Sequence, residues 1–192
     1  MKTLYHVSIV ILTTLFFSCK NTNTEKSQNN EETPDFLKQY NLTSLPIKMK
    51  GCIADGLPLV SLDSLNADIE DGSLPYCTFK TNGDYYAVIR LGIADCTLPN
   101  LITYDKTGHV IDERELAIGY CGDGPGFHCE EFASIGKDYS IYTSDTISVA
   151  SINNFGEEIK GTTESYIIYK KGRLLSSGKI VLTDTIRQKI VK

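Results

Sequence analysis

The fold is decided by the stretch CTFKTNGDYYAVIRLGIA, residues 77–94, which has the pattern of a β-hairpin. Two runs, 77–81 and 84–94, flank Asn82-Gly83, a dipeptide that suits both positive-φ positions of a type I′ turn. Side chains alternate along a strand, so every second residue of the later run shares one face. That face is apolar and is expected in the core: Tyr85, Ala87, Ile89, Leu91 and Ile93.

Two further hairpins are predicted, with turns at residues 106–108 and at Lys171-Gly172. Their flanking strands are residues 101–105 and 109–118 for the first, and 165–169 and 174–183 for the second. Residues 139–151 also alternate between apolar and polar. Short strands joined by local turns are typical of antiparallel sheets. The sequence therefore predicts a mostly β fold, an antiparallel meander that forms an open sheet, a sandwich or a propeller-like array.

Short helices are expected at the N-terminal end of this domain. Residues 35–40 follow Pro34, and Asp35 can cap a first turn. Residues 61–69 place three apolar side chains at helical spacing, and Asp71-Gly72 follows as a break. We expect residues 35–192 to form a single β-rich domain with these two helices near its start.

The first 18 residues have the pattern of a signal peptide. Lys2 precedes eleven mostly apolar residues, 7–17, a run too short to span a bilayer as a helix. Residues 15–19, LFFSC, resemble the lipobox of bacterial lipoproteins. The resemblance implies cleavage before Cys19 and lipidation of Cys19, and hence attachment to a membrane through an N-terminal lipid.

Residues 19–34 are expected to form the lipidated cysteine and a flexible tether. From Lys20 to Pro34 no apolar residue is larger than proline, so ordering the segment would bury too little surface. A coil of this length spans about 20 Å. By comparison with known lipoprotein sorting, Lys20 favours the outer membrane, and a lone Glu25 favours the periplasmic leaflet over the cell surface.

Three segments resemble recurring blocks of small bacteroidete lipoproteins of uncharacterised function. They are DYYAVI at residues 84–89, LITYDKTGHVID at 101–112 and GYCG at 119–122. The resemblance extends over residues 36–182. It implies a cell-envelope location and a β-rich fold, and it brings no activity with it.

The charge balance argues against a nucleic-acid partner. The formal net charge is −5, and removal of residues 1–18 would take away only the positive charge of Lys2. Neither lysine nor arginine is clustered anywhere in the chain, whereas proteins that bind nucleic acid carry a basic patch.

Five cysteines follow Cys19, and an oxidising compartment would favour their pairing. Cys121 and Cys129 enclose a short glycine-rich loop, so a disulfide between them is predicted. With a two-residue turn at Asn82-Gly83, Cys77 would face Val88, and Cys96 would lie too far along the strand to reach it. The pairing of Cys52, Cys77 and Cys96 stays open, and one thiol must remain free in a monomer.

The loop from Cys121 to Glu131 is the candidate binding surface. It gathers polar and aromatic side chains within nine positions: Asp123, Phe127, His128, Glu130 and Glu131. A zinc site would use Cys121, His128, Cys129 and a carboxylate, but adjacent His and Cys do not match the spaced ligands of zinc sites. A calcium site from Asp123, Glu130 and Glu131 lacks the alternating acidic pattern. We therefore expect no metal and no cofactor.

No catalytic residue is predicted elsewhere. The chain contains neither a Gly-x-Ser-x-Gly elbow nor a phosphate-binding glycine motif. His109 follows a predicted turn and is expected to face solvent. Asp112, Glu113 and Glu115 surround Arg114 and are expected to form an outward charged ladder.

Three functions are compatible with this sequence. The favoured hypothesis is a non-enzymatic cell-envelope lipoprotein that is anchored in the outer membrane and faces the periplasm. It would bind an envelope protein or another envelope component. A second is a periplasmic hydrolase or thiol enzyme that uses His128 with Cys129 or Glu130. A third is an immunity protein that neutralises a toxin.

Overall fold

The computed structural model describes residues 34–50, 73–92, 98–122 and 124–191. Their strands are β1 (Asn41–Thr43), β2 (Ile47–Lys50), β3 (Ser73–Phe79), β4 (Tyr86–Gly92), β5 (Leu98–Tyr104), β6 (Val110–Glu115), β7 (Phe127–Ile135), β8 (Ser140–Val149), β9 (Glu164–Leu174), β10 (Ile180–Leu182) and β11 (Ile186–Ile190). Within these ranges no helix is both long and apolar enough to cross a membrane.

The strands form two open sheets, and the prediction of a mostly β, largely antiparallel fold is confirmed. Sheet A has the order β1-β3-β4-β5-β6, and sheet B has the order β10-β9-β8-β7-β2, with β11 also paired to β9. Strands β3 to β6 and β7 to β10 are each joined to the next by antiparallel pairing. The exception is β1, which runs parallel to β3.

The two sheets share one hydrophobic core between their inner faces. Ile89 and Leu101 of sheet A belong to the same buried cluster as Ile135, Ile141 and Leu174 of sheet B. The alternation predicted for β4 holds, because Tyr85, Ala87, Ile89 and Leu91 are all buried. Ile93 lies outside the described residues.

The outer face of sheet A is covered by the segment that precedes β1. Leu37 and Tyr40 pack on Val88 and Ile102, which the alternation alone would have left facing solvent. The ring of Phe36 lies 4.9 Å from that of Tyr104. Sheet A is therefore buried on both faces over its central strands.

The predicted N-terminal helices are not supported. Over residues 35–40 the structure has only a three-residue 3₁₀ turn, Asp35–Leu37. The chain enters β1 at Asn41, so pairing with β3 leaves no length for a second helical turn. The helix expected over 61–69 lies outside the described residues.

The first hairpin forms, but the prediction of a two-residue type I′ turn is wrong. Phe79 pairs with Ala87, so the connection is longer, and neither Asn82 nor Gly83 has a positive φ. Tyr85 is buried and donates its hydroxyl hydrogen to Asn82 Oδ1 at 3.0 Å, which draws the chain inward. The longer connection places Cys77 opposite Ile89 instead of Val88, and a register shift follows between Cys77 and Pro75.

Of the two other predicted turns, one forms and one does not. The turn at 106–108 forms, with Gly108 at φ +90° and Asp105 Oδ1 accepting the backbone N–H groups of Thr107 and His109. The prediction of a turn at Lys171-Gly172 is wrong, because β9 continues through both residues to Leu174. The chain reverses instead before Lys179, with Gly178 at φ +83°.

Candidate functional site

A short strap, residues 116–122, follows β6 and is fixed to side chains of β7 and β8. Thr143 Oγ1 donates a hydrogen bond to the carbonyl oxygen of Leu116. The backbone N–H of Tyr120 donates to Asp145 Oδ2 at 2.8 Å. Thr143 and Asp145 are buried polar residues in the middle of β8, and these bonds satisfy strap groups that would otherwise lack partners.

The third attachment of the strap is a disulfide between Cys121 and Cys129, as the loop length predicts. Their Cα atoms are 5.2 Å apart, within the ordinary range for a disulfide. Cys129 belongs to β7, so the bond ties the strap to sheet B directly.

Replacing Cys121 and Cys129 together by serine should lower the free energy of unfolding by about 2.5 kcal/mol, because a nine-residue loop is then free in the unfolded chain. This corresponds to a fall in Tm of about 5–10 °C. Thermal unfolding followed by circular dichroism measures the change. Unchanged Tm values in the double variant and in the reduced wild-type protein would contradict a stabilising disulfide.

Strand alternation divides the predicted binding surface. Phe127, Cys129 and Glu131 are partly buried, whereas His128 and Glu130 between them are exposed. The first three therefore share the inner face of β7 and the other two share its outer face. Asp123 lies outside the described residues. The sequence therefore predicted a single binding surface, whereas the sheet directs these side chains to two opposite faces.

His128 has a carboxylate partner that the sequence did not indicate. Its Nε2 lies 2.8 Å from Glu158 Oε1, on the long connection between β8 and β9. Glu130 lies on the same outer face, with Oε2 3.7 Å from Lys50 Nζ. All four side chains are well exposed, so neither pair adds much stability.

A concavity of about 390 Å³ lies beside these residues. It is lined by residues of the β7–β8 pair and by one residue of the strap: Phe127, His128, Cys129, Glu130, Thr146, Ser148 and Gly122. Imidazole, carboxylate and hydroxyl groups are therefore available to a ligand at one end of sheet B.

Two carboxyl groups stand opposite each other on the inner face, since Glu131 of β7 pairs with Asp145 of β8. Burial raises the pKa of Asp145, although the N–H of Tyr120 and the positive charge of Lys170 oppose the rise. Burial also raises the pKa of Glu131, and the nearby Asp145 charge adds to it. Both groups therefore resist ionisation more than ordinary carboxylates.

This pair predicts a pH-dependent stability. A raised pKa means that the folded protein binds more protons than the unfolded chain, so unfolding free energy falls as pH rises above the ordinary glutamate value of 4.5. Glu131→Gln should weaken that fall and raise Tm at neutral pH. Denaturant unfolding from pH 4 to pH 8 checks the slope. The matched control is Glu130→Gln on the outer face, and equal slopes for the two variants would contradict the prediction.

Among the described residues, the zinc arrangement considered from the sequence is not assembled, and Asp123 of the calcium arrangement lies outside them. Within the described residues, the potential metal ligands near the two sulfur atoms include Asp145 and not His128. Glu130 and Glu131 lie on opposite faces of β7. For the same reason the His128 ring and the Cys129 sulfur, the pair expected of a thiol enzyme, point away from each other.

Two further expectations concern β6 and its turn. His109 faces solvent as predicted, with 82% of its side chain exposed. The outward charged ladder is wrong for Asp112, whose side chain is only 9% exposed. Its Oδ2 accepts the backbone N–H of Ile180 at 3.0 Å, so this carboxylate joins β6 to β10.

Cys77 is a free thiol inside the core, 2% exposed. Burial raises the pKa of this thiol to about 11, while a hydrogen bond involving Thr43 acts in the opposite direction. The reactive thiolate is therefore scarce at neutral pH. Cys52 and Cys96, whose pairing the sequence left open, lie outside the described residues.

Iodoacetamide should accordingly fail to modify Cys77 in the native protein at pH 7 and should modify it fully in denaturant. Mass spectrometry of the peptide containing Cys77 reports the two yields. Rapid native labelling of that peptide would show that the thiol is accessible and would contradict its burial.

Comparison of the chain with protein-family models, curated proteins and solved structures finds no match in any of the three.

Sequence reasoning missed Asp145 and Glu158. Asp145 could have been noticed as an acidic residue at a core-facing position of the alternating run 139–151, since buried carboxylates need partners. Glu158 carries no such signal, because it lies thirty residues from His128 and the loop geometry alone brings the two together.

Proposed function

We propose that this chain is a lipid-anchored binding protein of the cell envelope, attached through Cys19 to the outer membrane and facing the periplasm. Its β-domain binds an envelope protein through the outer face of sheet B. The lipobox and tether support the location, and the concavity between β7 and β8 carries the assignment of the binding face.

The two outer faces of the domain differ in a way that supports this choice. Phe36, Leu37 and Tyr40 cover sheet A. On sheet B, by contrast, the described residues leave the concavity open to solvent beside His128 and Glu130, which are exposed. Binding sites are typically concave and carry a few convergent polar groups.

Aromatic rings continue this face beyond the concavity. Tyr142 lies between Phe132 and Tyr169, with ring centroids 6.2 and 6.0 Å away. Partly exposed aromatic side chains supply contact area at low entropic cost in protein interfaces. The carboxylates of Glu130, in the concavity, and of Glu158, beside His128, favour a partner that presents a basic side chain.

Site-specific photo-cross-linking in cells tests the proposal. A photoreactive amino acid at Thr146, inside the concavity, should give a discrete covalent adduct with a partner protein. The same amino acid at Thr107, in the turn of sheet A, is the matched control and should give none.

The combined substitution Glu130→Gln and Glu158→Gln should then suppress the Thr146 adduct without changing Tm, because both side chains are exposed. Equal adducts from positions 146 and 107, or an adduct unaffected by the two substitutions, would contradict the assigned face.

A further inference from the structure

The disulfide of the strap lies beside a buried acid. The sulfur atoms of Cys121 and Cys129 and a carboxylate oxygen of Asp145 are all within 4.8 Å of one another. Asp145 is only 1% exposed, whereas both cysteines are partly exposed. A carboxyl group at this distance can exchange a proton with sulfur directly or through one water molecule.

The disulfide is also partly exposed, and residues of the chain beside it border the concavity. Gly122, next to Cys121, and Cys129 itself both line it. A methyl group placed on Gly122 would meet no atom within 4 Å, so the space beside Cys121 is open. A small thiol can therefore approach Cys121 from solvent, while Asp145 stays buried beneath the disulfide.

The surroundings of Asp145 raise its pKa above the ordinary aspartate value. Burial is the largest influence on its pKa and acts upward. The groups that face it are Glu131 on β7, Lys170 on β9 and the N–H of Tyr120 on the strap.

We propose that Cys121 and Cys129 form a redox-active disulfide that exchanges with a dithiol, and that Asp145 carries the proton of this exchange. The activity is separate from the proposed binding function, since a small dithiol suffices to reveal it.

The exchange proceeds in two balanced steps. A thiolate of the dithiol attacks Cys121 Sγ and forms a mixed disulfide, the Cys121–Cys129 bond breaks, and Cys129 leaves with the electron pair. The protonated Asp145 gives its proton to this thiolate and becomes a carboxylate. The second thiol of the dithiol, as its thiolate, then attacks the dithiol sulfur of the mixed disulfide, and Cys121 leaves with the electron pair as a thiolate that takes a proton from water. The protein gains two electrons and the dithiol is oxidised to a disulfide. In the reverse direction the Asp145 carboxylate accepts the proton of Cys129.

The test measures the rate at which dithiothreitol reduces this disulfide in the full-length protein from pH 5 to pH 9. Alkylation followed by mass spectrometry of the Cys121 and Cys129 peptides separates this reaction from that of other cysteines. The wild-type rate constant is divided by the concentration of dithiothreitol thiolate. It should then fall by about a hundredfold as Asp145 ionises, the lower end of the usual contribution of a general acid.

Asp145→Asn keeps an oxygen acceptor for the Tyr120 N–H and should give a pH-independent rate constant near the wild-type high-pH value. The matched control, Glu131→Gln, should retain the pH dependence. Identical profiles for wild type and Asp145→Asn would overturn the proposal, as would loss of the dependence only in Glu131→Gln. Reduction no faster than global unfolding would also overturn it, and none of these results would affect the cross-link at Thr146.

Discussion

Cys19→Ser should move this protein from the membrane fraction to the soluble fraction or leave it unprocessed. A single acyl chain gives only marginal membrane binding, and stable anchoring needs more than one, which lipoprotein maturation attaches at the N-terminal cysteine. Without that cysteine the mature domain would lack the anchor. Fractionation of cells followed by intact-mass measurement gives both the location and the processing state.

Cys77→Ser is the matched control, because it also removes one cysteine but lies in the core of the domain. It should leave membrane partition unchanged even if it lowers stability. If Cys19→Ser kept both the membrane partition and the mass of the wild-type protein, the lipoprotein assignment would be wrong.

Gly83→Ala should destabilise the domain by about 3 kcal/mol, at the upper end of the usual cost of overpacking. A Cβ atom at this position would lie 2.0 Å from the backbone oxygen of Ser176 and 2.8 Å from the ring of Tyr85. The first contact is with backbone, so it cannot be relieved by a side-chain rotation. Urea unfolding of the two proteins measures the difference.

Gly122→Ala is the control for that experiment, because a Cβ atom there meets nothing within 4 Å. It should change stability by less than about 1 kcal/mol, since the loss of unfolded-state entropy is the main effect. A similar cost at both positions would mean that the close approach of Gly83 to Ser176 does not exist in solution.

Gly83 shows how a correct sequence signal can have a different cause. The Asn82-Gly83 dipeptide correctly marks a reversal of the chain between β3 and β4. The glycine is not needed for a positive φ, however, because Gly83 does not have one. It is needed because the connection between β9 and β10 passes against it, and that contact joins residues 93 positions apart.

The sequence alone determined those features that depend on neighbouring residues. Alternation located β4 and β8, and the turn signal at residues 106–108 located the hairpin of β5 and β6. A separation of eight residues made the Cys121–Cys129 bond predictable. These interactions are encoded within a few positions because periodicity, turn chemistry and short loop closure are local properties of the chain.

Tertiary structure decided the rest. Val88 is buried because a segment fifty residues earlier covers it, and His128 meets Glu158 because the connection between β8 and β9 folds back. Asp145 receives the Tyr120 N–H because the strap lies over β8. No spacing in the sequence specifies which distant backbone group will need a partner at a given core position, since that depends on how the two sheets and the strap pack together.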